Sequence, residues 1–296
     1  MAQTQTELPR IGGDSEFVQF WNEVLGPKFN RFRHILVGGL THHSEAVFPK
    51  LPVHEGDRVV DVGCGWGDTA MKLARLVGPK GSVVGIDCCD MFLDIARDEL
   101  AETDLENVTF VRGDAEVALP EDAFDFAFAR FGTMFFANPV AGLRNMRRAL
   151  RPGGRMVHIV WRDPKDNPWL SMAKDVVLRF LPPPGEGART CGPGPFSMAD
   201  EVTVRKMMEI AGFEQIRFER IDAPVLIGRN VQDAIAFQLA VGPAGEVFRE
   251  AGEEADAKRP QIEAALAEAI DRQRRESEGI VMDSSSWMIS ARRPAD

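Results

Sequence analysis

Apolar residues recur in this chain with two different periods, and the switch between them marks out the elements. Between Asp14 and about Leu51, Phe17, Phe20, Trp21, Val24 and Leu25 repeat at three- and four-residue spacing, as one face of a helix requires. Asp14 or Ser15 is placed to cap that helix. Gly26-Pro27 interrupts it, and Phe29, Phe32, Ile35, Leu36 and Leu40 then continue the apolar stripe. From Val59 the rhythm shortens. β-Branched and aromatic runs at 59–62, 82–86, 108–112, 124–129 and 155–161 alternate with helical patterns at 68–77, 90–102 and 139–150. Gly78-Pro79-Lys80-Gly81 and Arg151-Pro152-Gly153-Gly154 read as turns that stop two of those helices. Strand–helix alternation with short loops predicts an α/β protein: a parallel sheet with helices on both faces.

Beyond Trp161 the pattern loosens. Residues 163–180 contain a helix, and Leu181 to Phe196 is a Pro/Gly-rich loop. A helix over 199–211 stops at Gly212, and 213–222 reads as a strand. Helical segments near 231–240 and 260–277 then precede a last strand over 280–291. Three parts follow. Residues 1–13 are a polar, disordered tail and 14–51 a helical cap. Residues 52–296 are the main domain, with a helical insertion at about 228–278.

The ligand-bearing feature is the stretch Val59-Val60-Asp61-Val62-Gly63-Cys64-Gly65-Trp66-Gly67-Asp68-Thr69. A buried strand that ends in alternate glycines and opens a helix lets backbone N–H groups approach a ligand closely. Twenty residues past Gly67, Asp87 ends the run Ser82-Val83-Val84-Gly85-Ile86. An acid at that spacing suits the hydroxyls of a ribose, so an adenosine-type ligand is expected. A dinucleotide fingerprint would place its third glycine at Asp68, which argues against a nicotinamide site.

From Asp57 to Trp161 the chain resembles the class I S-adenosylmethionine-dependent methyltransferases, in particular the ubiquinone/menaquinone-biosynthesis group. Asp61 to Gly67 is similar to its first motif, and Gly85-Ile86-Asp87 with Phe92-Leu93 to the second. Gly113-Asp114-Ala115 is similar to the adenine motif, and Phe124-Asp125 through Arg130-Phe131-Gly132 to the fourth-strand motif. Cys88-Cys89 and Trp66 depart from the usual pattern. The resemblance implies a Rossmann-like, doubly wound, seven-stranded sheet whose last strand is antiparallel. It implies S-adenosyl-L-methionine as cofactor, held by Asp61, Gly63, Gly65, Gly67, Thr69, Asp87, Cys88, Phe92, Asp114, Ala115 and Arg130. Arg130 could instead pair with an acid such as Asp125.

Methyl transfer from a sulfonium needs mainly positioning and exclusion of water. An apolar cap containing Trp21 and His34, with Phe135 and Trp161 at the strand ends, is expected to wall the acceptor. Where the acceptor needs a general base, His42 or His43 is the choice, in a break between cap helices after Gly38-Gly39. His54 reads as a surface residue and His158 as part of the fifth strand.

Charge and composition trim the alternatives. A formal charge of −10 disfavours nucleic acid, whose binding is driven by Lys and Arg. No apolar run reaches the length of a membrane span, and four cysteines fit no zinc spacing, so no metal is expected. The polar N-terminus carries no signal-peptide pattern, and cytoplasmic residence is the default. The chain has no tyrosine, which excludes a Tyr–Lys dehydrogenase pair. The expected partner is a small, largely apolar metabolite, with a homodimer left open. A nicotinamide-dependent oxidoreductase and a non-catalytic cofactor-binding partner protein are the competing readings.

Overall fold

Strands that feed buried helices on both sides must themselves be apolar on both faces, and the central ones are. In the computed structural model, which describes residues 15–185 and 193–296, β1 (Arg58–Val62) is buried at every position but its first. The expected tail at 1–13 and part of the Pro/Gly-rich loop lie outside the described residues. β2 (Ser82–Asp87), β3 (Val108–Arg112), β4 (Phe124–Arg130) and β5 (Leu150–Trp161) follow in the register that apolar burial demands. Together with β6 (Glu214–Gly228) and β8 (Gly279–Arg292) they form a sheet of order β3-β2-β1-β4-β5-β8-β6. A short β7 (Arg274–Glu276) pairs with β8. β1 to β5 are parallel, and β8 runs antiparallel to both β5 and β6. This is the Rossmann-like sheet with an antiparallel last strand. Strand order reverses at β1/β4, which places the ligand crevice at the carboxyl ends of those strands.

Helices α4 (Asp68–Val77) and α5 (Asp90–Ala101) pack on β1 to β3, and α6 (Pro139–Ala149) on β4 and β5. α7 (Pro168–Val177) lies against β8, and α8 (Glu201–Ala211) against α6 and β6. Between β6 and β8 come α9 (Val231–Ala240), α10 (Gly242–Ala251) and α11 (Glu253–Asp271).

The N-terminal helices differ from the expected pair with a break. α1 (Glu16–Phe20), capped by Ser15 through Val18 N–H, runs into a π-helical turn at Trp21–Leu25 and then α2 (Gly26–Arg31). The wider turn accommodates Pro27, which has no N–H to give to the turn before it. α3 (Arg33–Val47) passes straight through Gly38-Gly39 and carries Thr41 to Ser44 as ordinary helix. The glycines mark close approach rather than a hinge: a Cβ on Gly39 would stand 3.0 Å from the Leu226 carbonyl oxygen of β6.

Other boundaries moved for identifiable reasons. β6 runs on past Asp222 through Pro224, which an edge strand tolerates because one side of its ladder is empty. β5 starts at Leu150, with the expected turn absorbed as an irregularity opposite β4. α11 begins seven residues before Pro260 and contains it, so that proline is not the helix start. α10 and β7 were not anticipated.

Candidate active site

The glycine loop is shaped by left-handed backbone. Gly63, Gly65 and Gly67 have φ of 69°, 54° and 82°, a region that side chains disfavour. Around Gly65 nothing lies within 4 Å of where a Cβ would be, so its backbone faces open space. Gly67 has a different task. A Cβ there would strike the Phe110 ring at 2.4 Å, and the residue lies outside the cavity lining. Its lack of a side chain lets α4 seat against β3.

Asp87 ties the crevice together. One carboxylate oxygen accepts from Gly65 N–H and the other from Cys89 N–H, each at 2.9 Å. Burial pushes its pKa up, and those backbone donors oppose the shift. A carboxylate has about four acceptor positions, so room remains for hydroxyl donors. Asp114, Ala115, Cys88 and Phe92 line the same cavity, as do Gly63 and Thr69. Trp66 tilts against Phe92 with ring centroids 4.6 Å apart. The Cys88 and Cys89 thiols are held protonated by burial, the latter pushed up to about 11.

Asp61 sits behind the loop, fully buried. Its Oδ2 accepts from the Thr69 hydroxyl at 2.6 Å, while its Oδ1 has no partner. Burial raises its pKa to about 7. An orphaned acceptor behind an open glycine loop fits the ammonium end of an amino-acid-bearing cofactor. Arg130 also lines the cavity, and its guanidinium is already engaged by Asp68 at 2.8 Å and the Ser44 hydroxyl at 3.0 Å. Asp125, the alternative acid, instead pairs with Arg151 at 2.7 Å.

Away from the glycine loop the cavity is aromatic. Trp21 packs edge-on to Phe29 and Phe135 at 5.3 and 5.4 Å, and Trp161 stacks on Phe131 at 3.9 Å. All five line the chamber. So do residues that sequence reasoning missed: Trp169 and Leu170 from α7, Phe237, Gln238 and Val241 around α9, and Lys28, Glu246 and Arg249. The α7 and α9 stripes read only as generic amphipathic helix, with nothing to say which wall they cover.

None of the proposed histidines lines this cavity. His34 faces Asp233, its Nε2 at 3.3 Å from the carboxylate. His42 Nδ1 lies 3.0 Å from the Pro224 carbonyl oxygen. His43 is fully buried between the hydroxyls of Ser286 and Ser284, at 2.8 and 2.7 Å, with a pKa pushed down to about 3 by burial. It supports the site from behind: its ring meets Phe131 and Trp161 edge-on. The base assignment to His42 or His43 therefore loses its geometric basis. The physical reason is the unbroken α3, which turns both rings toward β6 and β8. His158 is likewise buried and held neutral, with Nδ1 at 3.0 Å from the Thr133 hydroxyl.

Among the described residues no cluster of His, Cys, Asp and Glu is arranged to hold a metal, and no helix is long and apolar enough to cross a membrane. Sheet order, glycine loop and ribose-type acid together define a Rossmann-like cofactor-binding enzyme.

Residues 59–154 match the methyltransferase domain family. The ubiquinone/menaquinone biosynthesis C-methyltransferase UbiE of Pseudomonas putida is 31% identical over 210 residues, covering 67% of this chain and 82% of that one. The Ectopseudomonas mendocina UbiE matches to the same extent. In fold, the chain is similar to the [4+2]-cyclase SpnF, with TM-score 0.55 and 18% identity over 99% of this chain and 100% of that one. It is also similar to Haemonchus contortus phosphoethanolamine N-methyltransferase 2 in complex with S-adenosyl-L-methionine, with TM-score 0.56 and 15% identity over 95% and 61%. The chain belongs to the class I S-adenosylmethionine-dependent methyltransferases. It is an enzyme of that activity, with S-adenosyl-L-methionine as its cofactor, and the oxidoreductase reading is set aside.

Proposed function

We propose that this enzyme methylates a small, largely apolar metabolite held in the aromatic chamber. One observation carries the reading: the glycine loop, Asp87 and the rings of Trp21, Phe29, Phe135 and Trp161 all line a single cavity. S-adenosyl-L-methionine supplies an already activated methyl group, so the protein's work is to hold, orient and keep dry. Asp87 receives the ribose hydroxyls, Asp114 and Ala115 face the adenine edge, and Phe92 with Trp66 covers its ring. Gly65, with nothing within 4 Å of its missing Cβ, leaves room for the amino-acid end, and Asp61, anchored by Thr69, accepts from its ammonium. Arg130 holds the cap helix to the first turn of α4 through Ser44 and Asp68, which fixes the chamber roof over the loop. The aromatic walls exclude water and align the acceptor.

Cytoplasmic action is supported by the free thiols of Cys64, Cys88 and Cys89. The cofactor assignment is tested with Asp87→Ala. Losing charge-assisted hydrogen bonds of about 1.5–3 kcal/mol should weaken S-adenosylhomocysteine binding by at least about tenfold in calorimetry. Unchanged affinity would refute the role given to that carboxylate. Transfer of labelled methyl from S-adenosylmethionine to apolar, not highly polar, compounds of a metabolite extract tests the acceptor class.

A further inference from the structure

Where the chamber leaves its aromatic walls, its character changes. Lys28 of α2, with Ala240, Gly245 and Arg249, lines the chamber and also a second cavity of about 660 Å³ between α2, α9, α10 and α11. That size is within the range of small-molecule sites. The cations around this junction are not equivalent. Arg259 is taken by Asp256 at 3.0 Å and Glu263 at 3.6 Å. Arg249 meets Glu250 at 2.6 Å and lies over the Phe20 ring, and Arg31 lies over the Phe32 ring at 5.2 Å. Lys28 is half-buried and has no hydrogen-bond or ion-pair partner among the described residues. Burial and the nearby Arg249 pull its pKa down, and the single carboxylate of Glu246 opposes them.

An ammonium partly withdrawn from water without a hydrogen-bonded acceptor is disfavoured, and a bound anion offsets that cost. We propose that the acceptor is an amphiphilic anion. Its apolar body fills the aromatic chamber, and its carboxylate or phosphate group is held by Lys28 at the junction, with Arg249 beside it. This rests on the methyltransferase reading above and names the class of molecule that the enzyme takes.

The test is calorimetry on the S-adenosylhomocysteine-saturated enzyme at neutral pH with three probes of equal chain: decanoate, decyl phosphate and decanol. At least one anion should bind about tenfold or more tightly than decanol, and the preferred anion identifies the head group. Lys28→Met should erase that preference while leaving decanol affinity unchanged, and Lys28→Arg should restore it. Equal binding of all three probes, or a preference that survives Lys28→Met, overturns the proposal. S-adenosylhomocysteine affinity measured on the same protein samples separates the failures: its absence in the wild type strikes the cofactor assignment, and its persistence without anion preference strikes only this inference.

Discussion

At the residue scale, three of the buried titratable groups have large shifts that shape how this protein responds to acid. His43 and His158 are held at about 3 in the folded chain against an ordinary 6.5, so unfolding takes up a proton at each between those values. Stability therefore falls as pH drops below about 6.5, by roughly 1.4 kcal/mol per pH unit for each ring. Asp61 acts in the opposite sense. Its pKa rises from 3.8 to about 7, so the folded chain holds a proton that the unfolded chain releases, and stability falls as pH rises through that window. In the cofactor-free protein Asp61 offsets one histidine. Asp61→Asn keeps an acceptor for Thr69 but removes the offset. The unfolding free energy from urea titrations between pH 4.5 and 6 should then fall more steeply with acid, by roughly 1.4 kcal/mol per pH unit. Parallel slopes in the two proteins would mean that Asp61 is ionised when folded. The positions of Asp61 and Asp87 beside the glycine loop were legible from their places in and after apolar runs. The neutral state of His43 was not, because it follows from burial against β8, where Ser284 and Ser286 lie some 240 residues away in sequence.

At the element scale, the chain shows which boundaries local chemistry controls. α4 occupies 68–77 and β3 108–112, as their patterns predict, because glycines, prolines and apolar periods agree there. α3 is the counter-example. A Gly-Gly pair reads as a break, yet its cause is the backbone of β6 pressing on one side of the helix. The two glycines can be told apart by substitution. Gly38→Ala meets only Leu226 Cδ2 at 3.9 Å and should be neutral or stabilise by about 0.5–1 kcal/mol through helix propensity. Gly39→Ala drives a methyl against the Leu226 carbonyl oxygen and nitrogen at 3.0 and 3.2 Å, and should cost about 1–3 kcal/mol in thermal or urea unfolding. Similar effects of the two would remove close packing as the reason for the pair.

At the scale of the whole molecule, the cavity joins three regions distant in sequence: the N-terminal helices, the carboxyl ends of β1 to β5, and the helices α7, α9 and α10. A ligand there couples them. S-adenosylhomocysteine at a hundred times its dissociation constant should stabilise the fold by about 2.7 kcal/mol, raising the melting temperature by roughly 4 °C in a chain of this length. The Asp87→Ala protein at the same concentration should show a much smaller shift. A wild-type shift absent under saturating ligand would contradict binding to the folded state.

The order of strands and helices, the glycine loop and the acid that follows it were determined by the sequence alone, since each depends on residues within a few positions of one another. Period, turn chemistry and backbone freedom are local properties, and they need no partner to be read. Which side chains close the chamber was decided by tertiary structure. Helix faces at α7, α9 and α10 carry no mark of the wall they will meet, and a histidine acquires its role only from what packs around it. Lys28 and Arg249 stand 221 positions apart, and only the tertiary fold, which brings both to the same two cavities, makes them neighbours.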